Sequence, residues 1–132
     1  MKIAVDFDGT IVTHHYPRIG KPLPFAFETL RALQEKGHLL ILWTYRSGVL
    51  LEEAIAYCKA NGIEFYAINK SFPEEEFTET RSPKPDADLF IDDRNVGGLP
   101  SWGEIFRIIC PEEDPEKTFY AKNRKWFRSS KR

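Results

Sequence analysis

Two carboxylates stand one residue apart in Asp6-Phe7-Asp8, directly after the apolar run Ile3-Ala4-Val5. A second acidic pair, Asp92-Asp93, directly follows another apolar run, Leu89-Phe90-Ile91. Two side chains two positions apart leave an ideal strand on the same face. Four carboxylates gathered at one place repel unless a cation or a proton lies among them. An all-oxygen ligand set of this kind suits Mg²⁺, which takes a few carboxylates together with water and a phosphate oxygen. A phosphate bound there needs further donors and positive charge. Thr44 and Arg46, at the end of the apolar stretch 38–43, and Lys84, eight residues ahead of Asp92, are of the right types. A carboxylate beside the phosphorus can attack in line and form an aspartyl-phosphate. A second carboxyl can protonate the leaving oxygen and then activate water.

These residues can cooperate only if the chain brings them to one edge of one sheet. Ile3-Ala4-Val5 is a short β-branched run suited to a strand covered on both faces. The spacing of Phe27, Leu30 and Leu33 against Glu28, Arg31, Glu35 and Lys36 predicts an amphipathic helix opened by Pro24 and ended by Gly37. His38–Trp43 reads as a second strand, Val49–Asn61 as a second helix and Ile63–Ile68 as a third strand. Asn69–Asp86, with prolines at 73, 83 and 85 and three consecutive glutamates, reads as a long polar loop, the kind that is often functional. Leu89–Ile91 is the fourth strand. Ser101 and Glu104 have the spacing of a capping box before the apolar face Ile105, Ile108 and Ile109. Asp114-Pro115 opens a last helix over about 115–129. Strands alternating with helices predict an α/β domain with a parallel sheet. Its strand ends then share one edge, where such folds place their ligands.

Asp6-Phe7-Asp8-Gly9-Thr10 after an apolar strand resembles the first motif of the haloacid dehalogenase superfamily of phosphatases and phosphotransferases. The similarity covers nearly all of residues 1–110. It implies a Rossmann-like three-layer fold, with helices on both faces of a parallel sheet whose first strand is central. It also implies roles. Asp6 matches the nucleophile, and Asp8 the general acid/base, which lends its backbone carbonyl to Mg²⁺. Thr44 matches the hydroxyl residue that binds the phosphoryl group. Lys84 matches the lysine that balances its charge, with Lys70 the less favoured competitor. Asp92 and Asp93 match the acidic pair that holds the metal, Asp93 directly and Asp92 at one remove. Tyr45 and Arg46 are candidate substrate contacts, as are His14 and His15 beside the first motif. The stretch after Thr10 and the one between Arg46 and Lys84 are too short for the cap domains that many members carry. The expected protein is therefore a minimal, capless phosphatase, whose substrate selection falls to residues 11–24, residues 69–83 or a neighbouring subunit in a homo-oligomer.

The chain of 132 residues suffices for one domain. Its net charge of −1 gives no general case for nucleic acid or membrane, and no apolar run approaches the ~20 residues that span a bilayer. The first strand begins at residue 2, leaving no room for a signal peptide. Cys58 and Cys110 lie in unrelated contexts and read as reduced thiols, which suits a cytoplasmic protein. Charge is uneven. Glu116–Arg132 carries seven basic residues against one acid, a net +6, leaving −7 for residues 1–115. The simplest reading of that basic, aromatic segment is a helix packed on the body with its cations outward. A guide to polyanions is the other. Thr44-Tyr45-Arg46 is also similar to the phosphatase domain of polynucleotide kinases. The expected activity is Mg²⁺-dependent hydrolysis of a small phosphorylated metabolite, a sugar phosphate or nucleotide. The alternatives are a nucleic-acid 3′-end phosphatase and a phosphate-binding regulatory domain without turnover.

Overall fold

The computed structural model describes residues 1–119. Seven elements follow one another as β1 (Lys2–Val5), α1 (Ala26–Glu35), β2 (Leu39–Leu42), α2 (Gly48–Ala60), β3 (Ala67–Ile68), β4 (Leu89–Ile91) and α3 (Trp102–Ile109). The strands form one all-parallel sheet in the order β3-β2-β1-β4. The molecule is thus an α/β protein of Rossmann-like layering, with β1 inside the sheet, as expected. The chain runs outward from β1 through β2 to β3, then returns to the other side of β1. The reversal lies between β1 and β4, and ligands of open parallel sheets bind in the crevice at such a point. Register places Val5 beside Ile91, so the residues that follow, Asp6 and Asp92, leave the sheet as neighbours.

Alternation along the strands divides the core. Ile3, Val5, Leu40 and Leu42 point to one face, where Phe27, Leu30 and Leu33 of α1, Ala54 and Cys58 of α2, and Trp102 and Ile105 of α3 complete a single buried cluster. Right-handed crossovers put α1 and α2 on the same side. Ala4, Ile41 and Ala67 point to the other face and are packed by Trp43, Tyr66, Ala87 and Phe90. Helices are expected on both faces, but among the described residues α1, α2 and α3 all pack on the first and no helix joins this second cluster. The third layer there is the connection between β3 and β4, whose prolines disfavour helix.

That connection is more ordered than a polar loop. Arg81 pairs with Glu75 at 2.9 Å, donates to the Asn69 carbonyl at 2.8 Å and lies over the Phe77 ring. The Glu75 carboxylate also accepts the Ser71 N–H. β3 is shorter than the apolar run 63–68 suggests, because Ile63 is buried in the helix-side core ahead of the paired residues. α1 starts at Ala26, after Phe25 in the left-handed region at φ 65°. Ser101 caps α3 by accepting the Glu104 N–H. Asp114 caps the next turn in the same way, through Glu116, and Phe119 packs edge-on to Phe106. The rest of the expected helix over 115–129, with its basic and aromatic residues, lies outside the described residues. Both cysteines are free, Cys58 buried and Cys110 half-buried. No described helix is long and apolar enough to cross a membrane.

Candidate functional site

The turn after β1 is built around glycine and threonine. Gly9 has φ 83°, a left-handed conformation that lets the chain fold back, and its α-carbon lies against the Asp93 carboxylate with no room for a β-carbon. Thr10 is fully buried. Its hydroxyl lies 3.3 Å from Asp6 Oδ2 and 3.2 Å from Asp93 Oδ1, can donate to either, and accepts the Asp93 N–H at 3.0 Å. Its carbonyl accepts the buried Trp102 indole N–H at 2.8 Å, which ties α3 to the turn. One threonine therefore spaces the acids of β1 from those of β4.

Carboxylate oxygens of Asp6, Asp92 and Asp93 lie within 4.8 Å of one another, all on half-buried residues. No ion pair among the described residues neutralises them. Burial pushes the Asp6 carboxyl up to about 7. The Phe7 N–H opposes that rise, while the charge of Asp92 and the neighbouring Asp93 carboxyl add to it. This is a site short of positive charge.

Asp8 does not share the shortage. Arg46 grips it through two parallel bonds, Nε to Oδ2 and Nη2 to Oδ1, each 2.8 Å. Arg46 also donates to the Arg18 carbonyl at 3.1 Å and the Leu50 carbonyl at 3.2 Å. The rings of Phe7 and Tyr16 lie on its guanidinium. Four of its five N–H donors are thus spent inside the protein, and the residue is 1% exposed. The Asp8 carboxylate holds the guanidinium protonated above its ordinary range, against the opposing effect of burial. Arg46, expected as a substrate contact, is here the clamp that fixes Asp8. It also joins β1, the 11–24 loop and α2.

Thr44 is fixed from its backbone. Its N–H donates to Asn69 Oδ1 at 2.8 Å, and its hydroxyl accepts the Arg46 N–H at 3.2 Å. Because the hydroxyl accepts there, its own proton is available to a ligand. The amides of Thr44 and Arg46 are already engaged and are not free for a ligand. Asn69 sits at φ 53°, a conformation Asn tolerates better than most residues.

A cleft of about 640 Å³ opens over these groups, lined by Asp6, Asp8, Thr44 and Asp92 below and by His14, Tyr16, Trp43, Tyr45 and Arg94 at its walls. A solved structure of a conserved protein from Bacteroides thetaiotaomicron matches this chain with a TM-score of 0.80 and 60% sequence identity, over 86% of this chain and 93% of that one. The chain belongs to that protein's family. No family model matches the sequence, and no curated protein does.

Within this family's fold, Asp6, Asp8, Thr44 and Asp92 meet in one cleft, and Asp93 joins the acids through Thr10 and Asp6. Lys84 does not line the cleft. It is exposed, with its ammonium 4.8 Å from the centre of the Phe90 ring. His14 lines the cleft while His15 does not. Trp43 lines it and also packs on the second core cluster. Three contributors were not singled out from the sequence: Thr10, Asn69 and Trp102. An asparagine at a strand end was a legible signal for a left-handed residue. The pairing of Trp102 with Thr10, 92 positions apart, had none.

Proposed function

We propose that this protein is a Mg²⁺-dependent phosphomonoesterase of the haloacid dehalogenase type, acting on a small phosphorylated metabolite through an aspartyl-phosphate. The observation that carries this is the meeting of the unneutralised Asp6, Asp92 and Asp93 oxygens within 4.8 Å, beside an Asp8 clamped by Arg46. Three half-buried carboxylates with no nitrogen or sulfur among them fit Mg²⁺. Asp6, Asp92 and Asp93 would hold it with the Asp8 backbone carbonyl. When bound, it would neutralise the acids and polarise a phosphate oxygen.

The residues then divide the work. The Asp6 carboxylate attacks phosphorus, and the bond from phosphorus to the ester oxygen breaks. Asp8, oriented by Arg46, passes a proton to that oxygen from a state in which one bond of the fork has opened to make room for it. Water then attacks the phosphorus of the aspartyl-phosphate and gives Asp8 a proton, the one it hands to the next leaving group, while the bond from phosphorus to the Asp6 oxygen breaks, freeing the Asp6 carboxylate and inorganic phosphate. Thr44 donates its hydroxyl proton to a phosphoryl oxygen. Lys84 is the residue assigned to balance the charge of the phosphoryl group. Two free thiols support a reducing, cytoplasmic setting.

The test is hydrolysis of a panel of sugar phosphates, nucleotides and 3′-phosphorylated oligonucleotides, with and without Mg²⁺. Metal-dependent turnover that Asp6→Asn abolishes and Lys84→Ala lowers about 100-fold is expected, a charged hydrogen bond being worth roughly 2–3 kcal/mol. A salt-sensitive preference for the oligonucleotides would move the assignment to nucleic-acid ends. Wild-type rates in Asp6→Asn would refute it.

A further inference from the structure

The rim of the cleft carries a feature that phosphoryl chemistry does not use. Tyr45 stands between Thr44 and Arg46 in the turn that leaves β2, and it is 88% exposed. Both of its neighbours are anchored, Thr44 by Asn69 and Arg46 by Asp8. Its ring meets that of Tyr16 edge to face, centroids 5.9 Å apart and planes at 67°. Tyr16 in turn rests on the Arg46 guanidinium, 5.3 Å from its ring centre. Because Arg46 is buried and held by four hydrogen bonds, that base is rigid. The two tyrosines form an aromatic corner over the same cleft that Asp6 and Asp8 line.

An aromatic ring this exposed gains little from folding and contributes when a ligand covers it. With two side-chain torsions it loses little conformational entropy in doing so. The cleft, at about 640 Å³, lies in the range that holds a small organic ligand. It is much larger than a phosphate group requires. The remainder is bordered by flat surfaces.

We propose that Tyr45, cornered by Tyr16, determines specificity by stacking on the ring of the alcohol that the phosphate esterifies, so that the substrates are phosphomonoesters of a ring-bearing alcohol, a nucleoside or a cyclic sugar, rather than of an open-chain polyol. A nucleobase offers a π face and a pyranose a face of C–H bonds, and both lie flat on tyrosine. This rests on the phosphomonoesterase reading for where the phosphate sits. The ring preference rests on the tyrosine corner.

Binding separates the two. An Asp6→Asn protein with Mg²⁺, which lacks the attacking carboxylate, is titrated by calorimetry with adenosine 5′-monophosphate, glucose 6-phosphate and glycerol 3-phosphate. The same is done after adding Tyr45→Ala, Tyr45→Phe or Tyr45→Leu. One or both ring esters should bind about 10-fold or more tighter than glycerol 3-phosphate, within the range measured for single stacking contacts. Tyr45→Ala and Tyr45→Leu should erase most of that ratio, and Tyr45→Phe should keep it. Which ring leads names its source. No preference for rings, a preference that survives Tyr45→Ala, or rescue by Leu equal to that by Phe overturns the proposal. Wild-type turnover is read separately. A ring preference that depends on Tyr45 without hydrolysis of any ester would sink the enzyme reading and leave the aromatic corner standing. Hydrolysis with a ratio indifferent to Tyr45 would do the reverse.

Discussion

The raised Asp6 carboxyl makes the stability of the metal-free protein depend on pH in a predictable direction. Its pKa is about 7 in the folded protein against 3.8 for a free aspartate side chain. Below pH 3.8 both states carry the proton, and Asp6 costs nothing. Between there and pH 7 the unfolded chain ionises first, so the folded state loses ground as pH rises. The full interval corresponds to roughly 4 kcal/mol at about 1.36 kcal/mol per unit. Asp6 keeps part of its hydration, and about 2 kcal/mol is the realistic share. For a chain of this size that is about 6–10 °C in Tm. Asp6→Asn keeps the shape and the acceptor for Thr10 while removing the charge. The measurement is thermal unfolding of metal-stripped wild type and Asp6→Asn from pH 4 to pH 8. The variant's advantage should grow across the interval and shrink when saturating Mg²⁺ is added at pH 8, because an ion bound only by the folded state stabilises it. Titrating groups that do not touch Asp6, including His38, are common to both proteins and cancel. A Tm difference that stays constant from pH 4 to pH 8 would refute the account of Asp6 as a desolvated, repelled carboxylate.

Three further outcomes follow from the contacts. Arg46→Met leaves Asp8 without its partner in a nearly buried place, and urea unfolding should show a loss of about 3–5 kcal/mol. Arg46→Lys keeps the charge but not the fork, so kcat should fall well below wild type even where the protein stays folded. Asn69→Ala removes the acceptor of the Thr44 N–H and puts alanine at φ 53°. It should cost about 2 kcal/mol by the same measurement, with Asn69→Gly recovering only the backbone part. Gly9→Ala strains the turn and drives a methyl into the Asp93 carboxylate. Mg²⁺ affinity by calorimetry should drop at least 10-fold, while Gly98→Ala, strained in the same way but facing open space, should leave it unchanged.

Much of this architecture can be read from the chain because its signals are local. Apolar runs ending in acids predicted β1 and β4, and parallel topology alone then placed Asp6, Asp8, Asp92 and Asp93 on one edge. Helices announced themselves by periodicity and by the Ser101 cap. Arg46 was misjudged for a reason that is not local. Its spacing from Thr44 is visible, but the Asp8 carboxylate that turns it inward comes from 38 residues away and a different strand. The β3–β4 connection reads as structureless because its order comes from side-chain contacts centred on Glu75 and Arg81, which have no periodicity to detect. Lys84 is a candidate by its distance from Asp92 along the chain. Sequence distance does not say that the ammonium settles over Phe90 instead of in the cleft.

The bond between the Trp102 indole and the Thr10 carbonyl has an optical consequence. Thr10 touches both Asp6 and Asp93, so whatever draws those acids together or apart moves the carbonyl that Trp102 holds. Trp43 stands in the cleft wall and meets incoming solutes directly. Two of the chain's three tryptophans therefore stand at different depths, one wired to the acid cluster from behind and one facing its visitors. Emission from the buried indole reports events among the acids, and quenching of the other reports occupancy of the cleft, with no label attached.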